Sequence, residues 1–310
     1  MTRLHAGPSR THSVRRLCRL FGVSRQAFYK RQSDDFSWLA VEQVVVDFAS
    51  EERLKNPGIG GEKLWIRYNS CSGSPLGRDR FLHILGKYGL NLRLRRRRHP
   101  QTTDSSHTYP RYPNLVKDLI PSRPNRQWVS DITYITLRDG PTGEDTSFCY
   151  LSLITDNYTK EIIGYGLGRT LEAIHAIHAL EMALERVEGT EEGQLIHHSD
   201  RGVQYACYSY TDLLHRHGIR ISMTQSGDPK DNPVAERVNG IIKNEILGGR
   251  RFTSMEEARG AISHAIRYYN NERPHRSLDM MTPAQAAGCT GEVKKRWVSD
   301  REKHIKAQSV

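Results

Sequence analysis

The spacing of apolar residues changes period near residue 127, so the two parts of the chain cannot share one kind of secondary structure. Before that point apolar side chains recur three and four apart. Val14, Leu17, Leu20 and Phe21 form one set; Trp38, Val41, Val45 and Phe48 a second; Phe81, Leu82, Leu85 and Tyr88 a third. That is the stripe of an amphipathic helix. From Gln127 the runs "QWVSDITYITL", "SFCYLSLITD" and "EIIGYGLGR" are rich in β-formers, the last two separated by the turn-like "DNYTK". A helix follows, striped by Leu171, Ile174, Ile177, Leu180 and Leu184. Then come a strand "GQLIHH", a helix "VQYACYSYTDLLHRHG", a strand "IRISMT" and helices onward from "VAERVNGIIKNEIL". The order β-β-β-α-β-α-β-α-α describes an α/β domain: a five-stranded mixed sheet flanked by helices, preceded by all-α units.

The first helical unit is expected over 1–35. Gly22 ends its first helix and Ser24 caps the second, with Val23, Ala27 and Phe28 packing inward and Arg25, Gln26, Tyr29 and Lys30 facing out. Two short helices with a basic outer face make a helix-turn-helix. A second helical, helix-turn-helix-like unit spans 36–98. It carries Arg78 and Arg80, and closes with the run Arg93, Arg95, Arg96, Arg97 and Arg98. Arginines so crowded beside a helical unit suit the phosphates of DNA. Residues 99–125 hold Pro100, Pro110, Pro113, Pro121 and Pro124 and read as a linker. The α/β domain occupies 126–285, and 286–310 is a tail.

Charge and cysteine usage narrow the setting. A net charge of +11 suits a polyanionic partner. Five scattered cysteines with no C-x-x-C pair fit a reducing cytosol and argue against a zinc knuckle. No run is apolar and long enough for a signal peptide or a membrane span. A cytoplasmic, nucleoid-associated protein with no membrane partner is expected.

Three carboxylates carry the chemistry. Asp131 interrupts a strand that otherwise reads as buried, and a buried charge needs paired or metal-bound company. Asp200 lies just past a strand end, where sites gather in open α/β sheets. Glu236 lies on the first turn of a helix, with 35 residues between it and Asp200. Brought together, three such groups repel unless a divalent cation intervenes, and Mg²⁺ prefers oxygen ligands. Two ions about 4 Å apart serve phosphodiester chemistry. Asp131, the deepest, would bridge them. Seven residues past Glu236, Lys243 returns to the same helical face, as does Asn239 at three, and Lys243 is read as holding a DNA phosphate. Asp156 is assigned to a turn, Asp231 or Asn232 to a helix N-cap, Trp128 to the core, and His197 and His198 to structure, His198 also as a group close to the site.

The phrases "WVSDITYI", "HHSDRGVQY", "DNPVAERVNGIIKNE" and "YNNERPHRSLDMMTPAQ" resemble the catalytic second-reading-frame protein of insertion sequence three family transposases. Asp131, Asp200, Glu236 and Lys243 resemble the Asp-Asp-Glu core shared with retroviral integrases. The resemblance runs from about residue 12 to 285. It implies an RNase H-like fold, dependence on Mg²⁺ or Mn²⁺, and DNA strand cleavage and transfer by a copy-out, paste-in route. It implies terminal inverted repeats and target DNA as partners, with Arg273, His275 and Arg276 on the DNA backbone. Self-association as a dimer or higher follows, since two ends must be held together. No H-H-C-C zinc domain precedes the core, which favours the bacterial family over the viral one. No long heptad segment is present either, so an upstream-frame helix-turn-helix and coiled-coil protein, or a fusion to it, is an expected partner. Two alternatives are a purely hydrolytic RNase H-type nuclease and a non-catalytic DNA-binding regulator.

Overall fold

The computed structural model describes residues 13–92, 108–138, 147–186, 193–225, 231–294, 298 and 300–308. Two serines start the first helices. Ser13 accepts from the Arg16 amide at 3.4 Å and Ser24 from the Ala27 amide at 3.0 Å, capping α1 (Val14–Leu20) and α2 (Arg25–Lys55). Gly22 turns the chain between them at φ 67°. Two helices joined by a glycine turn are therefore present where a helix-turn-helix was expected, and two expectations change. The second helix does not stop near residue 31; it runs through the expected boundary at 35/36 to Lys55. The side chains assigned inward are also open: Val23 is 47% and Phe28 41% exposed, beside Leu20 at 77%. A seven-residue helix against the start of one other is too little to enclose a core.

The helical core forms further along. The later part of α2 packs with α3 (Gly61–Cys71) and α4 (Arg78–Lys87) around Val45, Ile59, Leu64, Tyr68, Phe81 and Ile84. This unit rests on the α/β domain. The Gly58 amide donates to the Glu245 carbonyl at 2.9 Å, and Arg67 donates to the Glu272 carboxylate at 2.7 Å.

The sheet comprises β1 (Gln127–Leu137), β2 (Ser147–Asp156), β3 (Ile162–Gly168), β4 (Ile196–Ser199) and β5 (Arg220–Met223), ordered β3-β2-β1-β4-β5. The β1–β2 and β2–β3 pairs are antiparallel; β1–β4 and β4–β5 are parallel. This is the five-stranded mixed sheet flanked by helices that the element order predicts, and the RNase H-like arrangement that the resemblance implies. One face packs α5 (Ala173–Leu184), α6 (Val203–Ala206) and α7 (Tyr208–Arg216) around Trp128, Ile154 and Ile163. The other packs α8 (Pro233–Gly240), a π-helical segment (Ile241–Ile246) and α9 (Met255–Asn271) around Ile135, Leu151 and Leu153.

Helix α5 sits unusually close to β3. A Cβ on Gly164 would lie 2.0 Å from the Ala179 carbonyl oxygen, and one on Gly166 2.0 Å from that of His175. The buried face of α5 is accordingly Ala176, Ala179, Leu180 and Ala183, while Leu171 and Ile174 of the expected stripe point outward. The described part of the expected linker, 108–125, is also packed. Tyr109 and Tyr112 lie on the α5–α7 face, Val116 is buried, and the Leu115 amide donates to Ser222 Oγ at 2.9 Å. At the C-terminal end, α10 (Pro283–Ala286) crosses the boundary expected at 285/286, and α11 (Asp300–Gln308) follows. Among the described residues no helix is long and apolar enough to cross a membrane.

Candidate active site

The parallel pairing of β1 with β4 sets the site. Its last register pair is Val129 with His198. Two residues further on each chain stand Asp131 and Asp200, level with one another where β4 has ended and β1 continues against β2. Neighbouring strands lie about 4.8 Å apart, so this register brings two carboxylates to one place. Both line a cavity of about 20 Å³, with Tyr134, Tyr150, Gln204 and Tyr205 among its walls. Asp131 Oδ1 accepts from the Ile132 amide at 2.9 Å, and Oδ2 accepts from Asn239 Nδ2 at 2.8 Å. Burial, the Asp200 charge and, less strongly, the Glu236 charge push the Asp131 carboxyl up to about 7, against the lowering effect of those donors. Asp200 Oδ1 accepts from the Gly202 amide at 3.0 Å, so the Asp-Arg-Gly turn also exists.

Side chains on both sides tie the Glu236 helix to this sheet end. Asn239 bonds Asp131, and Asn232 Nδ2 donates to the Ser130 carbonyl at 2.8 Å. Asn232 occupies the expected N-cap position of α8, but its side chain serves β1 rather than the helix. His198 bridges two elements: Nδ1 meets Ser222 Oγ at 2.9 Å, and Nε2 donates to the Asp231 carbonyl at 3.1 Å. Glu236 stands exposed on the first turn of α8. Among the described residues no three His, Cys, Asp or Glu side chains are grouped as a ready set of metal ligands. Asp131 and Asp200 share a cavity, and Glu236 reaches Asp131 through its charge.

The other assignments resolve by partner. His197 is buried, its Nε2 2.7 Å from Ser130 Oγ and 3.0 Å from the Tyr210 hydroxyl, and burial drives its pKa down to about 3. It is a neutral structural group. Asp156 accepts from the amides of Asn125, Tyr158 and Thr159, organising the β2–β3 turn. Trp128 is fully buried.

The basic residues divide sharply. Arg25, Gln26 and Lys30 are exposed on α2. Arg78 is exposed and paired with Asp79 at 2.9 Å, while exposed Arg80 stacks 3.4 Å over the Trp38 ring. Arg95, Arg96, Arg97 and Arg98 lie outside the described residues. Arg273 and His275 must be reassigned. The Arg273 side chain is 2% exposed and forks onto Glu245 at 2.8 and 2.7 Å; His275 is buried edge-on to Tyr269 at 4.8 Å. Neither reaches a DNA phosphate from there. Arg276 stays exposed, 3.5 Å from Glu62.

Lys243 does not follow the α-helical wheel used to place it, because the helix widens to π geometry from Ile241. Its ammonium lies 3.2 Å over the Tyr134 ring. It lines a cleft of about 410 Å³ with Ile135, Thr136, Leu247, Gly249, Arg250 and Arg251. Arg250 and Arg251 are cleft-lining cations that motif reading missed. The adjacent "GGRRF" was the available signal, a glycine turn leading basic residues back toward β1.

Comparison with known proteins matches this architecture. Two family models, both described as integrase core domain, match residues 121–229 and 217–283. A 31 kDa protein of insertion element IS600 from Shigella sonnei is 35% identical over 86% of this chain and 96% of its own length. The transposase for insertion sequence element IS629, also from Shigella sonnei, is 29% identical over 83% of this chain and 80% of its length. Among solved structures, the simian T-cell lymphotropic virus intasome with PP2A regulatory subunit B56 gamma aligns at 18% identity and a TM-score of 0.46, covering 78% of this chain and 77% of that one. Near-complete coverage of an insertion-element protein at this identity, together with the integrase core, decides the family: the chain is a transposase of the insertion sequence three family, a polynucleotidyl transferase by class.

Proposed function

We propose that this transposase binds the terminal inverted repeats of its element and target DNA, and cuts and joins strands at Asp131, Asp200 and Glu236. The observation that carries the reading is the level placement of Asp131 and Asp200, with the Glu236 helix bonded to the same aspartate. The donor set fits Mg²⁺ or Mn²⁺. It is all oxygen, and Mg²⁺ is commonly held by one or two carboxylates, with substrate phosphates and water completing its shell. A carboxyl raised to about 7 by burial and, after it, by its carboxylate neighbours is one that a cation would stabilise in its ionised form. Asp131, Asp200 and Glu236 would hold the metal, two ions in all, with Glu236 joining the other two once DNA is bound.

Such ions activate an attacking oxygen and stabilise a leaving one. The chain's own residues supply the frame. Asn239 orients Asp131; Asn232 and His198 hold the start of α8, and hence Glu236, against the sheet. Lys243, Arg250 and Arg251 would grip the strand beside the scissile phosphate, with Arg25, Gln26 and Lys30 on DNA further out. Water as attacker gives nicking, and a 3′-hydroxyl gives strand transfer, the copy-out, paste-in order following from which end attacks. Both are in-line displacements. Two ends imply self-association, an upstream-frame partner would extend end recognition, and bacterial nucleoid DNA is the working location.

The test is Asp200→Asn assayed on paired terminal repeats with Mg²⁺. It should keep end binding and lose both nicking and strand transfer. Retained strand transfer rejects the site, and wild-type hydrolysis without joined products rejects transposition in favour of a nuclease.

A further inference from the structure

We propose that Tyr205 is a positioning residue for the carboxylate pair, its hydroxyl directed across a single water-sized space toward Asp131 and Asp200. This rests on the site reading above. Tyr205 follows Asp200 by five residues on the short α6 and is 2% exposed. Its hydroxyl is buried and makes no hydrogen bond. Leaving such a group unsatisfied costs about 1–3 kcal/mol, so its retention calls for a ligand or a water.

Three facts indicate what that hydroxyl serves. First, Tyr205 lines the same cavity as Asp131 and Asp200. About 20 Å³ is room for one water or one bare cation beside the two carboxylates. Second, the ring is wedged. It packs edge-on to Tyr210 at 5.4 Å and tilted against His197 at 6.3 Å, and those two are bonded to each other at 3.0 Å. The hydroxyl is therefore held in place. Third, burial, Tyr210 and the charges of Asp200 and Asp131 all keep the phenol protonated, so it donates and does not act as a base. A neutral donor eases the repulsion between two carboxylates without adding a positive charge that would compete with a cation.

A different role is also readable. His197 Nδ1 is likewise buried without a partner, and a water shared between it and Tyr205 would make the hydroxyl purely structural. The experiment separates the two. Tyr205→Phe removes only the oxygen and should fold. In the full DNA-free chain, its affinity for Mn²⁺, read by calorimetry or electron paramagnetic resonance, should fall about tenfold, the usual cost of losing a group that orients a ligand. The Mg²⁺ concentration for half-maximal nicking should rise in step, with end-DNA affinity unchanged. Tyr210→Phe, which loses the hydroxyl's contacts with His197 and Ser130 on the far side of the ring pair, should leave both metal readouts alone. Mn²⁺ affinity and Mg²⁺ requirement unchanged in Tyr205→Phe, whatever its thermal midpoint, overturn the role of Tyr205. If Asp200→Asn also stays active, the site reading itself has failed; if that variant is dead, only the Tyr205 assignment has.

Discussion

Asn239 Nδ2 donates to Asp131 Oδ2 at 2.8 Å, joining the helix that carries Glu236 to the strand that carries Asp131. Asn239 and Glu236 are three residues apart on α8, so they share a face. One hydrogen bond thus sets both the orientation of a carboxylate and the reach of the second acidic element. Asn239 is buried, its own Oδ1 unpaired, so nothing else explains its place in an otherwise apolar contact.

Asn239→Leu keeps the volume and removes the donor. Nicking of end DNA should fall by about tenfold to a hundredfold, while DNA affinity and the thermal midpoint change little. Single-turnover nicking beside equilibrium binding measures the split. Equal losses in binding and nicking would mean that Asn239 supports the fold rather than the orientation of Asp131.

Glu245 makes a pH prediction. It accepts from Arg273 at 2.8 and 2.7 Å, from Lys63 at 3.3 Å and from Asn56 at 3.2 Å. Burial pushes its carboxyl up, but Arg273 and then Lys63 more than offset this and leave it at about 2. Lys63 itself is driven down to about 8 by its own burial, so Arg273 is the partner that matters. A carboxyl lowered on folding stabilises above its unfolded pKa, and that stability drains as pH falls from 4.5 toward 2. The amount is about 3 kcal/mol. Urea unfolding at pH 6 and pH 3 should show about 2 kcal/mol of this loss in the wild type, the rest falling below pH 3, and a flatter response in Glu245→Gln. Arg273→Ala should cost about 3–5 kcal/mol at pH 7, because it strands a buried carboxylate.

That pair also marks where sequence reading stops. The element order was legible because hydrophobic period is local, and the acidic motifs could be picked out because each is a short run of sequence. Whether an arginine in a loop meets DNA or Glu245 depends on a partner 28 residues away, and Lys63 joins from 182 residues away. Sequence carries the charge but not its partner. The register that levels Asp131 with Asp200 is likewise a tertiary fact. The boundary at 35/36 dissolved because no Gly or Pro interrupts Arg25 to Lys55, an absence easily overlooked beside a fresh apolar stripe. The wheel that placed Lys243 assumes α geometry throughout, whereas the chain is π-helical from Ile241, so the position of Lys243 over Tyr134 could not be read from it.

The contact of α5 with β3 predicts a steric failure. A Cβ on Gly164 would come within 2.0 Å of the Ala179 carbonyl, a backbone atom that cannot rotate aside. Gly164→Ala should destabilise the chain by about 2 kcal/mol or more, since α5 must lift from the sheet and loosen contacts around Ala176 and Leu180. The urea midpoint reads this directly. An unchanged midpoint would mean that α5 and β3 are not in the close contact described.

The division among basic residues can be read from salt dependence. Each phosphate a cation neutralises adds about 0.9 to the slope of log affinity against log salt for duplex DNA. Lys243 and Arg250 line the cleft beside β1, whereas Arg273 is sequestered on Glu245. Lys243→Ala and Arg250→Ala should each weaken end binding and reduce the slope by about 1. Arg250 also pairs with Glu257 at 3.2 Å, on a partner that is 38% exposed, so losing that pair alone costs little and does not mask the effect. Arg273→Ala, assayed where it remains folded, should leave the slope unchanged. Fluorescence anisotropy of labelled end DNA over a salt series measures all three. A slope that drops with Arg273→Ala but not with Lys243→Ala would return Arg273 to the DNA and remove the cleft from the strand's path.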